Sequence, residues 1–127
     1  MSAKSVAILI GLVFVAVGIL GFIDNPIVGD SPDAIFHADT VHNIVHIVSG
    51  VLFLFIALVK PAAARGFLVT FGIIYLVIGI IGLTSIGTEG MGTILGFLHV
   101  NGADNYLHVG LGLVLLLMGF LSRKIQD

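Results

Sequence analysis

The chain has 127 residues, of which 58% are hydrophobic and 9% charged, with five Lys or Arg against seven Asp or Glu. Soluble domains carry about 25% charged residues, and a chain this short cannot hide so much apolar surface from water, so a water-soluble globular fold is excluded. A net charge of −2 with no basic patch excludes a nucleic-acid binder, and zero cysteines exclude disulfides, thiolate metal sites and thiol chemistry.

Charged residues divide the chain into four runs free of Asp, Glu, Lys and Arg: Ser5–Ile23, Thr40–Val59, Gly66–Thr88 and Asn105–Ser122. Each has at least 18 residues, about 27 Å as a helix, enough for a hydrocarbon core of about 30 Å. A helix satisfies its own backbone in lipid, whereas an isolated strand does not. The expectation is an all-α, integral membrane four-helix bundle. It forms one membrane domain over residues 1–127, with helices at about 5–23, 40–59, 66–84 and 103–122 and the lipid bilayer as its first partner.

The first run follows Lys4 and is longer than the apolar core of a signal peptide. Phe22-Ile23-Asp24-Asn25-Pro26 offers no small-residue cleavage site, so a retained helix is expected. The following loop, with Asn25-Pro26, Gly29-Asp30 and Ser31-Pro32, is turn chemistry without a helical pattern. Lys60-Pro61-Ala-Ala-Ala-Arg65 is a short turn that makes the second and third helices antiparallel neighbours. In the last loop, Met91–Leu98 is apolar enough to lie on the membrane surface or dip into it.

Lys4, Lys60, Arg65, Arg123 and Lys124 all fall on one side of this four-span path, while Asp24, Asp30, Asp33 and Glu89 fall in the loops of the other. The positive-inside rule then places both termini in the cytoplasm.

The chain also resembles itself. Gly11-Leu-Val-Phe14-Val-Ala-Val-Gly18-Ile-Leu-Gly21 matches Gly72-Ile-Ile-Tyr75-Leu-Val-Ile-Gly79-Ile-Ile-Gly82 at an offset of 61 residues. At an offset of 62, His37, Asn43 and His46 coincide with His99, Asn105 and His108. Polar coincidences in an apolar chain point to duplication, with repeats at about 5–60 and 66–122. Both repeats enter and leave on one side, which relates them by a pseudo-twofold axis along the membrane normal. Gly18, Gly21, Gly79 and Gly82 form small faces where helix backbones approach closely.

Asp39 and Asn101 stand where the second and fourth helices need an N-cap. Asn43, His46 and Gly50 fall at i, i+3 and i+7, and Asn105, His108 and Gly112 repeat the spacing. His46 lies roughly 10 Å along its helix, a depth at which polar groups turn to the bundle interior.

Three readings follow. The first is a non-enzymatic membrane protein, an accessory or assembly subunit, in which Asn43 bonds to His108 and Asn105 to His46, clamping the second helix to the fourth. The second is a transition-metal or haem site on His46 and His108, with His42, His37 and His99 near them and Gly50 and Gly112 leaving room beneath. His42 and His46 have the i, i+4 spacing that grips one ion. Asp104 replaces His42 in the second repeat, which rules out a symmetric four-His site. The third is a proton relay or pH-responsive gate, for which two hairpins suffice only in a homo-oligomer or larger membrane complex.

His42-Asn43-Ile-Val-His46 and Asn101-Gly-Ala-Asp104-Asn105-Tyr-Leu-His108 resemble the two hallmark segments of a four-span prokaryotic membrane family catalogued as domain of unknown function 4383. The glycine rhythm of the first and third helices is similar too, so the likeness covers nearly the whole chain. It implies a prokaryotic cytoplasmic membrane and no reaction.

Overall fold

In the computed structural model, which describes residues 1–122, four helices dominate: α1 (Ala3–Leu20), α2 (Thr40–Val59), α3 (Ala64–Ser85) and α4 (Gly102–Leu121). Arg123 and Lys124 lie outside the described residues. All four helices are long and apolar enough to cross a membrane. Large apolar side chains stand exposed on every one, among them Leu12, Val51, Ile73 and Leu117. Such a surface suits lipid, and the chain is read as a multi-pass membrane protein.

Local chemistry sets the ends. The Ser2 hydroxyl accepts the Ser5 N–H, and the Asp39 carboxylate accepts the His42 N–H at 3.0 Å. Lys60 precedes Pro61, whose ring disfavours helical backbone before it, so α2 stops at Val59 and a single 3₁₀ turn (Pro61–Ala63) leads into α3. The N–H groups of Ile86 and Gly87 both donate to Gly82 O, and Gly87 leaves α3 at φ 89°. Asn101 and Asp104 form a reciprocal capping box for α4. The first helix ends at Leu20, earlier than its apolar run, because Asn25 Nδ2 donates to Leu20 O and Ile23 O while Asn25 Oδ1 accepts from Ile27 and Val28.

Each helix packs chiefly on its hairpin partner, α1 on α2 and α3 on α4. The turn at Pro61 makes α2 and α3 neighbours in sequence, yet their mutual packing is slight. Small residues let the hairpin backbones meet. A Cβ on Gly50 would lie 2.6 Å from Gly11 O, and one on Gly112 would lie 2.8 Å from Gly72 O. Between the hairpins runs an aromatic and aliphatic core that includes Phe14, Phe53, Leu68, Tyr75 and Leu115.

The loops correct the all-α expectation. β1 (Val28–Gly29) pairs parallel with β2 (Phe36–His37), and β3 (Met91–Ile94) pairs antiparallel with β4 (Leu98–Asn101). The segment expected to lie on the membrane surface is mostly this second hairpin. It folds because Ile94, Leu98 and Val100 alternate onto one face and pack on Ile78 and Ile81 of α3 and on Ile86 just past its end. Both strand pairs sit at the end of the bundle opposite Lys4, Lys60 and Arg65, and they roof the entrances of α2 and α4.

Candidate functional site

Beneath that roof, α2 contributes His42 and His46 and α4 contributes His108, respectively 2%, 7% and 2% exposed. Their ligand nitrogens all lie within 4.8 Å of one another. The His42 ring centroid is 4.5 Å from that of His46 and 5.7 Å from that of His108. His42 Nδ1 lies 3.2 Å from His99 O. A carbonyl only accepts, so this nitrogen carries the proton and the neutral ring keeps its lone pair on Nε2. His46 Nδ1 and His108 Nδ1 are buried without a hydrogen-bond partner.

Aromatic rings form a floor. Phe14 stacks on His46 (6.1 Å, 3° between planes), Tyr75 packs on His108 (5.6 Å), and the two aromatics lie 5.5 Å apart. Ser49, buried, follows His46 by one turn of α2. These three residues were missed as site residues, although the match of Phe14 with Tyr75 in the two repeats was the signal that could have found them.

The asparagines do not make the expected clamp. Asn43 turns to α1, its Oδ1 occupying the place where a Cβ on Gly21 would stand, and Asn105 does the same at Gly82. Asn105 Nδ2 donates to Gly87 O at 3.0 Å. Successive residues turn about 100° around a helix, so positions i and i+7 nearly coincide while i+3 stands about 60° away. Asn43 and Gly50 therefore face α1, and His46 faces the bundle centre with His42, Ser49 and Phe53. Gly50 and Gly112 likewise serve helix approach, against Gly11 and Gly72, instead of leaving room beneath the histidines.

Asp104 stays out of the cluster. Its Oδ2 accepts the Asn101 N–H, its own N–H donates to Asn101 Oδ1, both at 2.9 Å, and Asn101 Nδ2 reaches across to Ile35 O. A cavity of about 200 Å³ borders Asp104, His46 and His108, with apolar walls from Val17, Leu20 and Leu107.

A second histidine layer lies above. His37 and His99 meet edge to face with centroids 4.5 Å apart, and His99 Nδ1 is hydrogen-bonded to the Thr93 hydroxyl at 3.1 Å. His37 Nε2 is 3.8 Å from Asp30 Oδ1, and its buried Nδ1 has no partner. Burial first, then the His99 imidazole, hold His37 below the ordinary histidine range, opposed by Asp30 and Asp39.

The geometry suits a single ion and does not suit haem. A porphyrin clamped between His46 and His108 would displace the His42 ring that packs against both, and the adjoining cavity is too small to receive it.

Fold and site together define a multi-pass, four-helix membrane protein with buried histidines clustered at one end. A family model described as Domain of unknown function (DUF4383) matches residues 4–121, and the chain belongs to that family. No curated protein and no solved structure matches it.

Proposed function

We propose that this chain is a non-enzymatic membrane protein that binds one transition-metal ion through His42, His46 and His108. The observation that carries this reading is the convergence of three buried imidazoles with ligand nitrogens within 4.8 Å of one another. The bond from His42 Nδ1 to a backbone carbonyl is the outer-shell contact that commonly orients a metal-ligating histidine. Buried nitrogens without partners, as on His46 and His108, cost about 1–3 kcal/mol each, and a shared cation compensates part of that cost.

Metal–imidazole bonds of about 2.0–2.1 Å hold three nitrogens roughly 3.4 Å apart, so binding draws the rings inward by about 1 Å. Imidazole ligands suit Zn²⁺, Cu²⁺, Ni²⁺ or Fe²⁺. Three protein ligands beside a small cavity leave a fourth position exchangeable, which fits holding and handing over an ion in an accessory or assembly role.

Two duplicated hairpins related by an axis along the membrane normal would bring this site about. Matched contacts support that origin: Gly21 with Asn43 and Gly82 with Asn105, Phe14 with His46 and Tyr75 with His108. The basic residues then put both termini in the cytoplasm of a prokaryotic cell and the histidine end outside.

The test is metal analysis of the detergent-purified chain without a histidine tag, after loading with Zn²⁺ and removal of free ion. One ion per chain is expected, lost in His46→Ala and in His108→Ala. Wild-type protein that retains no metal overturns the reading.

A further inference from the structure

The upper layer of His37, His99 and Asp30 stands apart from the three-histidine cluster. We propose that it is the loading port of the metal site, a proposal that rests on the three-histidine reading. Asp30 is the exposed end, its side chain 80% accessible, and its Oδ1 lies 3.8 Å from the Nε2 of buried His37. From there the groups descend in short steps: 4.5 Å between the His37 and His99 rings, then the backbone carbonyl of His99, which accepts the His42 Nδ1–H at 3.2 Å, and then 4.5 Å from the His42 ring to the His46 ring. An ion that descends this ladder exchanges one ligand at a time and is never left bare in an apolar bundle, where an unpaired charge is costly.

The upper layer has the attributes of a transit site. His37 Nδ1 is buried and unpartnered, so the ring has a nitrogen to offer. The layer supplies two imidazoles and one exposed carboxylate, and among the described residues it forms no tight cluster of three ligand atoms like the one below. The loops around it carry Asp24, Asp30, Asp33 and Glu89, whose combined field concentrates cations at this end. Thr93 holds the His99 ring, and β2 and β4 hold the two histidine backbones, so the port is built on the strand pairs that roof the bundle.

The experiment is stopped-flow mixing of Co²⁺ with the detergent-purified, untagged chain, following the visible absorption that appears when Co²⁺ takes nitrogen ligands. For the His37→Ala, His99→Ala double variant the expected result is uptake slowed roughly tenfold or more, with the final absorption and stoichiometry of wild type. Asp30→Asn changes only an exposed side chain and keeps the question open to test if the double variant does not fold. It should slow uptake to a smaller degree, and the difference from wild type should shrink at high salt, where surface charge is screened. Wild-type uptake rates in both variants overturn the port and leave the site intact. Loss of bound Co²⁺ in a folded double variant also overturns it, because His37 and His99 would then be ligands. A wild-type chain that never develops the absorption removes the site itself, and the port with it.

Discussion

The Oδ1 of Asn43 occupies the position that a side chain on Gly21 would need, and Asn105 stands in the same relation to Gly82. Neither oxygen has a conventional hydrogen-bond partner, so each rests on the Cα–H of its glycine, a contact contributing about 0.5–1 kcal/mol. Where lipid gives little hydrophobic drive between helices, such close approach is what holds a hairpin together.

Gly21→Ala and Gly82→Ala must therefore displace a buried amide, at a cost of about 1–3 kcal/mol, the range for overpacking. Gly66→Ala and Gly110→Ala are the controls, since a Cβ at either meets nothing within 4 Å. Alanine there should be neutral or stabilise by about 0.5–1 kcal/mol through helix propensity. Thermal unfolding in detergent, followed by circular dichroism, separates the two pairs. Equal effects at all four positions would discard the amide–glycine contact as a determinant of stability.

Metal binding to the folded chain alone raises its stability by mass action, about 2.7 kcal/mol when free ion is a hundredfold above Kd. Zn²⁺ should then raise the melting temperature of wild type, and a chelator should reverse the rise. His42→Ala, His46→Ala and His108→Ala should each abolish the response, whereas Asp104→Asn should keep most of it because Asp104 serves the helix cap. A response that survives in His46→Ala would place the ion elsewhere.

The helices were legible because charge spacing and bilayer thickness bound them independently of tertiary contacts: Asp39 and Lys60 flank the apolar run that becomes α2. The strand pairs were not. Val28 pairs with Phe36, and Met91 with Asn101, over two and four residues, too short for period-two alternation to stand out from an apolar loop. Within the site, depth and polarity pointed to His46 and His108, but a spacing of i, i+3, i+7 does not say which residue of a stripe meets which neighbour. About 60° of helix rotation separates Asn43, which meets Gly21, from His46, which meets the centre. His42 was legible from its i, i+4 spacing with His46, but the His99 carbonyl that orients its ring is delivered by a strand that the pattern did not reveal.

Arg65 does more than mark the basic side of the chain. From the first turn of α3 its Nε donates to Gly119 O at 2.8 Å and its Nη2 to Phe120 O at 3.2 Å, meeting carbonyls that α4 leaves open at its end. A cation there also favours the helix dipole. Arg65→Ala should destabilise by about 1 kcal/mol, a figure already lowered for solvent screening at a partly exposed group. Arg65→Lys should recover only part, because one ammonium cannot reproduce the planar fork. Denaturant titration of the three proteins measures both steps, and full recovery by lysine would reduce the interaction to simple charge.

The turn of the β3–β4 hairpin carries the one non-glycine residue with positive φ among the described residues, Leu95 at 56°, followed by Gly96 at 79°. The Phe97 N–H donates to Ile94 O at 3.2 Å, closing the turn. Both central residues thus sit in left-handed space, which glycine and asparagine adopt readily and leucine does not. Leu95 is half exposed, so its replacement removes little packing. Leu95→Asn should stabilise the hairpin by about 1 kcal/mol, since its short polar side chain hydrogen-bonds locally in left-handed space, and it does so without adding the unfolded-state freedom of glycine. Leu95→Gly should gain less for that reason. Because β4 carries His99 above the three-histidine cluster, a firmer hairpin should also slow amide exchange at Val100 and His99. Hydrogen exchange read by mass spectrometry measures this directly, and faster exchange in Leu95→Asn would mean that Leu95 holds the turn through contacts its backbone angle does not reveal.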